Sequence, residues 1–152
     1  MWFALRNLRD PETKEPISRG ALLSEVATVV IAGMESTGHQ LAWLVSLLAS
    51  HPNVVENLLK ELSQNGLYGH EAREVRFEDL AELTYLTAII KEAMRIAYVV
   101  TGVLGLIVPN DMSILGYRVP KGTLILCPGT RAMHSEEMWG DPHAFRPERW
   151  LS

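Results

Sequence analysis

Apolar residues recur every three or four positions along two adjoining stretches. The first holds Leu22, Val26, Val29, Val30 and Gly33, and the second Leu41, Leu44, Val45 and Leu48. This period predicts one long helix over residues 22–50, with Ser18 as its cap. A polar island, Glu35-Ser36-Thr37-Gly38-His39-Gln40, interrupts the pattern. Serine and threonine bond back to carbonyls one turn earlier, and glycine adds no stiffening side chain, so the helix is expected to be locally weakened there. A carboxylate in an apolar helix is costly without a partner or water. The island is therefore either the polar seam of a kinked core helix or a site.

The rest of the pattern divides into short elements. Residues 1–20 open with a mixed segment and a loop, Asp10-Pro11-Glu12-Thr13-Lys14-Glu15-Pro16. After His51-Pro52 a second helix is predicted over 53–64, because proline suits a first helical turn. Glu56 and Lys60 are an i,i+4 pair on its outer face, and Asn65-Gly66 stops it. A polar loop follows over 67–75, then a helical turn at 77–80. Residues 83–97 predict a helix with Leu83, Leu86, Ile90, Ala93 and Ala97 on its apolar face, widened by Ile89 and Met94, and Lys91, Glu92 and Arg95 on its polar side. Residues 99–108 read as extended. Residues 112–117 and 123–127 read as the two strands of a hairpin joined through Val119-Pro120-Lys121-Gly122. A short helix is expected over 130–138. Residues 139–150 are too rich in proline for helix or central strand, so this coil must be held by side-chain bonds, several of them from Arg149. Helices precede a hairpin and a coil, which is a mostly α, α+β order in one domain over 1–152.

Composition narrows the function. The 152 residues are 47% hydrophobic, enough for a sizeable core, and carry a net charge of -4. That balance argues against a nucleic-acid partner, which would require basic excess. The single cysteine, Cys127, permits no internal disulfide and fits an intracellular setting; it reads as a small buried hydrophobe. The longest apolar runs, 26–34 and 41–49, fall short of the roughly 20 residues a bilayer requires. Met1-Trp2-Phe3-Ala4-Leu5 is too short for a signal segment, so membrane association would depend on an N-terminal anchor outside this chain. There is no phosphate-binding glycine loop, no paired-histidine zinc motif and no Gly-x-Ser-x-Gly, and no metal-ligand set is expected within the chain.

Three features carry chemistry: the acid–hydroxyl run Glu35-Ser36-Thr37; Glu92 and Arg95, three residues apart on one helix; and Phe145-Arg146-Pro147-Glu148-Arg149-Trp150. A lone Glu–Arg pair at that spacing is usually a solvated surface pair. In this order, however, the features resemble the cytochrome P-450 superfamily of haem-thiolate monooxygenases. Ala32 to Thr37 match its distal-helix motif Ala/Gly-Gly-x-Asp/Glu-Thr-Thr/Ser. Glu92 and Arg95 match its Glu-x-x-Arg helix, and Gly116 to Thr123 its Gly-Tyr-x-Ile/Val-Pro-Lys-Gly-Thr hairpin. Trp139 to Arg149 match its Trp-Gly-Asp-Pro-x-x-Phe-x-Pro-Glu-Arg segment, with Trp150 where phenylalanine is usual.

The resemblance implies a partial fold of that family: long distal helix, Glu-x-x-Arg helix, β-hairpin and Pro-Glu-Arg coil. It implies haem, with Ala32 and Gly33 small enough for a flat macrocycle to lie against them. Glu35 and Ser36, supported by Thr37, would deliver protons through water in a widened helix groove, and Glu92, Arg95 and Arg149 would form a buried charge triad. The complete enzyme would use dioxygen and a redox partner, of reductase or ferredoxin type, to oxidise an apolar substrate. The sequence departs from the family in three ways. Ser36 replaces the usual threonine. Residues 96–108 hold neither proline nor arginine, with Leu106 near the place of a propionate-binding arginine. The ligand loop Phe-x-x-Gly-x-Arg-x-Cys-x-Gly is not within residues 1–152, and Cys127 is no substitute because it lies upstream without the arginine. The expectation is an inactive piece of a monooxygenase. The alternative is a non-catalytic module that binds a partner through exposed apolar helix faces.

Overall fold

The computed structural model describes residues 7, 9–10, 12–99 and 105–151. Contacts divide the chain into two compact units, Met1–Leu41 and Ala42–Ser152. The first contains a tight loop in which Asp10 Oδ1 accepts the amides of Glu12 (2.9 Å) and Thr13 (2.8 Å). It also contains the first part of helix α1, Arg19–Ser50. Ser18 caps this helix, its hydroxyl accepting the Ala21 N–H at 3.1 Å, which supplies one of the four amides a helix start leaves unpaired. The helix stays α-helical through the polar island with no π turn, so the widened groove expected there is not formed. Side chains add bonds to carbonyls that remain in the helix instead. No residue of α1 is fully buried.

In the second unit, helix α2 is Pro52–Gln64, with proline in its first turn and Asn65 at its C-terminal cap. Gly66 follows at φ +68, the left-handed conformation that ends many helices. Glu56 and Lys60 pair at 2.8 Å on the exposed side. A 3-10 turn at Phe77–Ala81 leads to helix α3, Thr84–Ile96. Val54, Tyr85, Ile89, Ala93 and Phe145 form the core, flanked by Leu44, Leu47, Leu48, Leu58 and Ile96.

The buried face of α3 is not the one its apolar residues predict. Tyr85, Ala88, Ile89, Glu92, Ala93 and Arg95 are buried, whereas Ile90 and Met94 are exposed. The helix turns its charged pair inward, where the two side chains and nearby backbone satisfy each other.

The strand pairing also differs from expectation. β1, Leu106–Ile107, pairs antiparallel with β4, Leu124–Ile125. β2, Met112–Ile114, pairs with β3, Tyr117–Val119. The hairpin therefore turns at Leu115-Gly116, with φ of 51° and 86°. Two consecutive positive φ values suit the twist of a two-residue hairpin. The predicted Pro120 turn exists, closed by Thr123 N–H to Pro120 C=O at 3.2 Å, but it leads from β3 to β4. Cys127 lies in coil beyond β4 and is exposed, not buried. The helix expected over 130–138 is two short ones, α4 at Gly129–Met133 and α5 at Glu136–Trp139. The coil that follows ends in a 3-10 turn, Pro147–Trp150. Of the segment expected to be extended, residues 100–104 lie outside the described residues. No helix among the described residues is long and apolar enough to cross a membrane.

Candidate functional site

Glu92 is fully buried on α3, and its carboxylate accepts five hydrogen bonds. Oε1 receives Arg95 Nη2 at 2.8 Å, Arg149 Nε at 3.0 Å and the Arg146 N–H at 3.1 Å. Oε2 receives Arg95 Nε at 3.0 Å and the Trp150 indole N–H at 2.9 Å. Burial pushes the Glu92 carboxyl up, but the bonds from Arg95, Trp150 and the Arg146 amide outweigh it and hold the group below its usual range. Glu92, Arg95 and Arg149 are thus brought together at one point.

Arg95 uses every N–H it has. Beyond its fork on Glu92, it donates to the carbonyls of Met133 (2.8 Å), Pro142 (2.7 Å) and Ala144 (3.3 Å). Its guanidinium also lies 5.0 Å from the Trp139 ring centroid. Arg149 donates to the carbonyls of Trp139 and Asp141, both at 2.8 Å. These bonds hold a proline-rich segment that cannot form a ladder of its own. The arginines tie the 129–150 segment to α3 through Glu92 and the backbone carbonyls.

Three contributors are not apparent from sequence pattern. Trp150 places an N–H on Glu92 that phenylalanine could not supply. Glu61, on α2, accepts the amides of Tyr85 (2.6 Å) and Leu86 (2.9 Å) and the Thr84 hydroxyl (3.2 Å). It thereby caps α3, whose own N-cap residue Leu83 makes no side-chain bond. The Tyr85 phenol, pushed up by burial, donates to Glu148 at 2.7 Å. In the sequence Glu61 shows only as an acid on the polar face of an amphipathic helix, and that signal is commonplace.

Ala32, Gly33, Glu35, Ser36 and Thr37 lie on one stretch of α1, in the other unit. The Ser36 hydroxyl donates to the Ala32 carbonyl at 2.6 Å. His39 Nδ1 lies 2.7 Å from the Glu35 carbonyl. Gln40 Nε2 is buried without a hydrogen-bond partner among the described residues. Among the described residues no group of three or more histidine, cysteine or acidic side chains could hold a metal ion.

Comparison with known proteins places this arrangement in a family. The chain is 34% identical over 141 residues to cyclooctat-9-en-7-ol 5-monooxygenase of Streptomyces melanosporofaciens, an alignment covering 93% of this chain and 30% of that protein. It is 32% identical over 153 residues to steroid 21-hydroxylase of Felis catus, covering 98% and 31%. A zebra fish cytochrome P450 structure with abiraterone superposes with a TM-score of 0.84 at 30% identity, covering 98% of this chain and 36% of that one. The chain therefore spans about a third of the length of these relatives. The Cytochrome P450 family profile matches residues 3–152, and the chain belongs to the cytochrome P450 family.

Proposed function

We propose that this chain is part of a haem-dependent monooxygenase, inserting one oxygen atom of dioxygen into an apolar organic substrate with electrons from a reductase or ferredoxin-type partner. The carrying observation is the match to monooxygenases and hydroxylases along almost the whole chain. The residues present fit one face of a flat cofactor. Ala32 and Gly33 are exposed, and a Cβ on Gly33 would meet nothing within 4 Å, so this turn of α1 has room for a planar ring. Ala32 and Gly33 would lie against haem, which when bound supplies the binding and activation of dioxygen.

The chain's own part in this reading is proton handling and support. Glu35 holds a proton-accepting carboxylate on an otherwise apolar helix, and Ser36 and Thr37 offer hydroxyls beside it. A relay needs its groups within hydrogen-bond reach. The Ser36 hydrogen points back to Ala32 at 2.6 Å, so Ser36 must release that carbonyl to pass a proton outward, while its lone pairs stay open to accept one. Glu92, Arg95 and Arg149 would hold the fold of the second unit without touching the reacting atoms. Residues 1–152 contain no cysteine other than exposed Cys127, so the 152-residue polypeptide by itself is expected not to turn over.

The test is oxygenation by the haem-loaded polypeptide carrying this segment together with the Phe-x-x-Gly-x-Arg-x-Cys-x-Gly loop. With oxygen-18 gas, one labelled atom in the product is expected. An unlabelled product, or turnover by the isolated 152-residue chain, overturns the reading.

A second reading, a non-catalytic module that binds a partner through α1, is favoured by the exposure of Leu23, Ile31, Met34 and Val45, each more than half exposed. Exposed apolar side chains along a helix drive association where they form a patch. Sedimentation of the purified chain over a range of concentrations decides it: a monodisperse monomer that melts cooperatively counts against this reading.

A further inference from the structure

The His39 side chain bonds to the backbone of its own helix in mid-run. Its Nδ1 lies 2.7 Å from the Glu35 carbonyl oxygen. A carbonyl only accepts, so Nδ1 carries the hydrogen and Nε2 is the ring's basic atom. His51 makes a similar contact with Leu47 at 2.7 Å, but Leu47 is among the last four residues of α1, whose carbonyls lack helical donors. The Glu35 carbonyl is different. In an α-helix it already has the His39 N–H as its regular partner, so the imidazole is a second donor.

The neighbouring turn repeats the device. Ser36 puts a second donor on the Ala32 carbonyl at 2.6 Å. Two side chains therefore grip the peptides at both ends of Ala32-Gly33-Met34-Glu35, in a stretch where Gly33 and Gly38 offer no side-chain support and meet nothing within 4 Å. Such extra donors draw a carbonyl out of line with the helix axis.

We propose that His39 is a positioning residue for Glu35: its Nδ1–H grips the Glu35 carbonyl, fixes that peptide, and so sets the direction in which the Glu35 side chain leaves the helix. The functional consequence rests on the reading of Glu35 as a proton carrier. Proton transfer tolerates little misplacement, and about 1 Å can cost roughly a hundredfold. Histidine serves because its ring donates from Nδ1 whether neutral or protonated.

The test compares His39→Phe, which keeps a ring and removes the donor, with His39→Asn, which keeps a donor. At the C-terminal cap of α2, Asn65 Nδ2 spans the same four-residue interval, donating to the Glu61 carbonyl at 2.9 Å. Histidine, phenylalanine and asparagine have close helix propensities, so the helix itself is little changed. In the 152-residue chain, the carbonyl carbon resonance of Glu35 should move in His39→Phe and return in His39→Asn. In the haem-loaded monooxygenase carrying this segment, product formed per reducing equivalent should fall by about threefold or more in His39→Phe, with recovery in His39→Asn, as a small misplacement of Glu35 implies. An unmoved carbonyl resonance in His39→Phe, or equal behaviour of the two variants, overturns the proposal. Glu35→Gln separates the two ideas: an unchanged product yield there overturns the proton reading of Glu35, and the carbonyl resonance alone then decides whether His39 grips its peptide.

Discussion

Glu92 and Arg95 meet through two parallel hydrogen bonds, 3.0 Å from Nε to Oε2 and 2.8 Å from Nη2 to Oε1, with neither side chain in reach of solvent. The pair is coupled to the last turn of the described chain through Arg149 and Trp150. A buried charge without its partner is much more costly than the pair is stabilising. Arg95→Ala should therefore destabilise the chain by about 3–5 kcal/mol, read from urea unfolding. Arg95→Lys should do nearly as much, because an ammonium cannot reach both carboxylate oxygens and the Met133, Pro142 and Ala144 carbonyls. A lysine variant with wild-type stability would show that the fork geometry is unimportant.

Trp150 allows a milder cut at the same carboxylate. Trp150→Phe keeps an aromatic ring near Trp139, whose centroid is 5.5 Å away, but loses the indole N–H to Glu92. One donor to a charged group is worth about 1.5–3 kcal/mol. Four donors remain, so the expected loss lies at the low end, with the fold retained. Indistinguishable unfolding midpoints for the two proteins would mean that the indole bond adds nothing.

The chain should lose local order in acid at a defined place. The Arg73 guanidinium at 2.6 and 2.7 Å, with the Arg76 N–H at 2.7 Å, holds the Asp79 carboxyl at about 2, below its usual 3.8. As pH falls the unfolded chain takes up this proton first, so the bond's contribution is full above about pH 4 and is lost as pH falls through about 2. Glu92, also held low, acts in the same direction. Amide exchange over residues 65–81 should quicken between these values, and Asp79→Asn should remove that step. An acid profile unaffected by Asp79→Asn would place the sensitivity elsewhere.

What was legible in the sequence was what local signals determine. Ser18, Pro52 and Asn65-Gly66 each mark a helix boundary through contacts within a few residues, and α1 and α2 begin and end there. The face of α3 was misread because a period of apolar residues puts charges outside. Apart from Arg95, the donors that offset the burial of Glu92 lie over fifty residues later, at Arg146, Arg149 and Trp150. Glu92, Arg95 and Arg149 are singled out by motif order, not by apolar pattern. Glu61 was missed for a related reason: its amide partners belong to another helix, and an acid on a polar helix face predicts solvent. At Cys127, strand length was overestimated, and with it burial.

The misplaced hairpin leads to a last prediction. Its turn, Leu115-Gly116, lacks the Asn-Gly or Asp-Gly pair that usually marks two residues with positive φ. Leu115 sits at φ 51° with its side chain 93% exposed, so it bears the strain of the left-handed conformation without packing to offset it. That conformation costs an ordinary residue roughly 1–2 kcal/mol, whereas asparagine tolerates it. Leu115→Asn should thus stabilise the β2–β3 pair by up to about 1 kcal/mol, and Leu115→Ile, branched at Cβ, should weaken it. Amide exchange of Met112, Ser113, Arg118 and Val119 reports on that pair directly. Slower exchange in Leu115→Asn and faster exchange in Leu115→Ile are expected. The reverse order would mean that the turn forms elsewhere and that strand register is set by Met112 and Val119 rather than by Leu115 and Gly116.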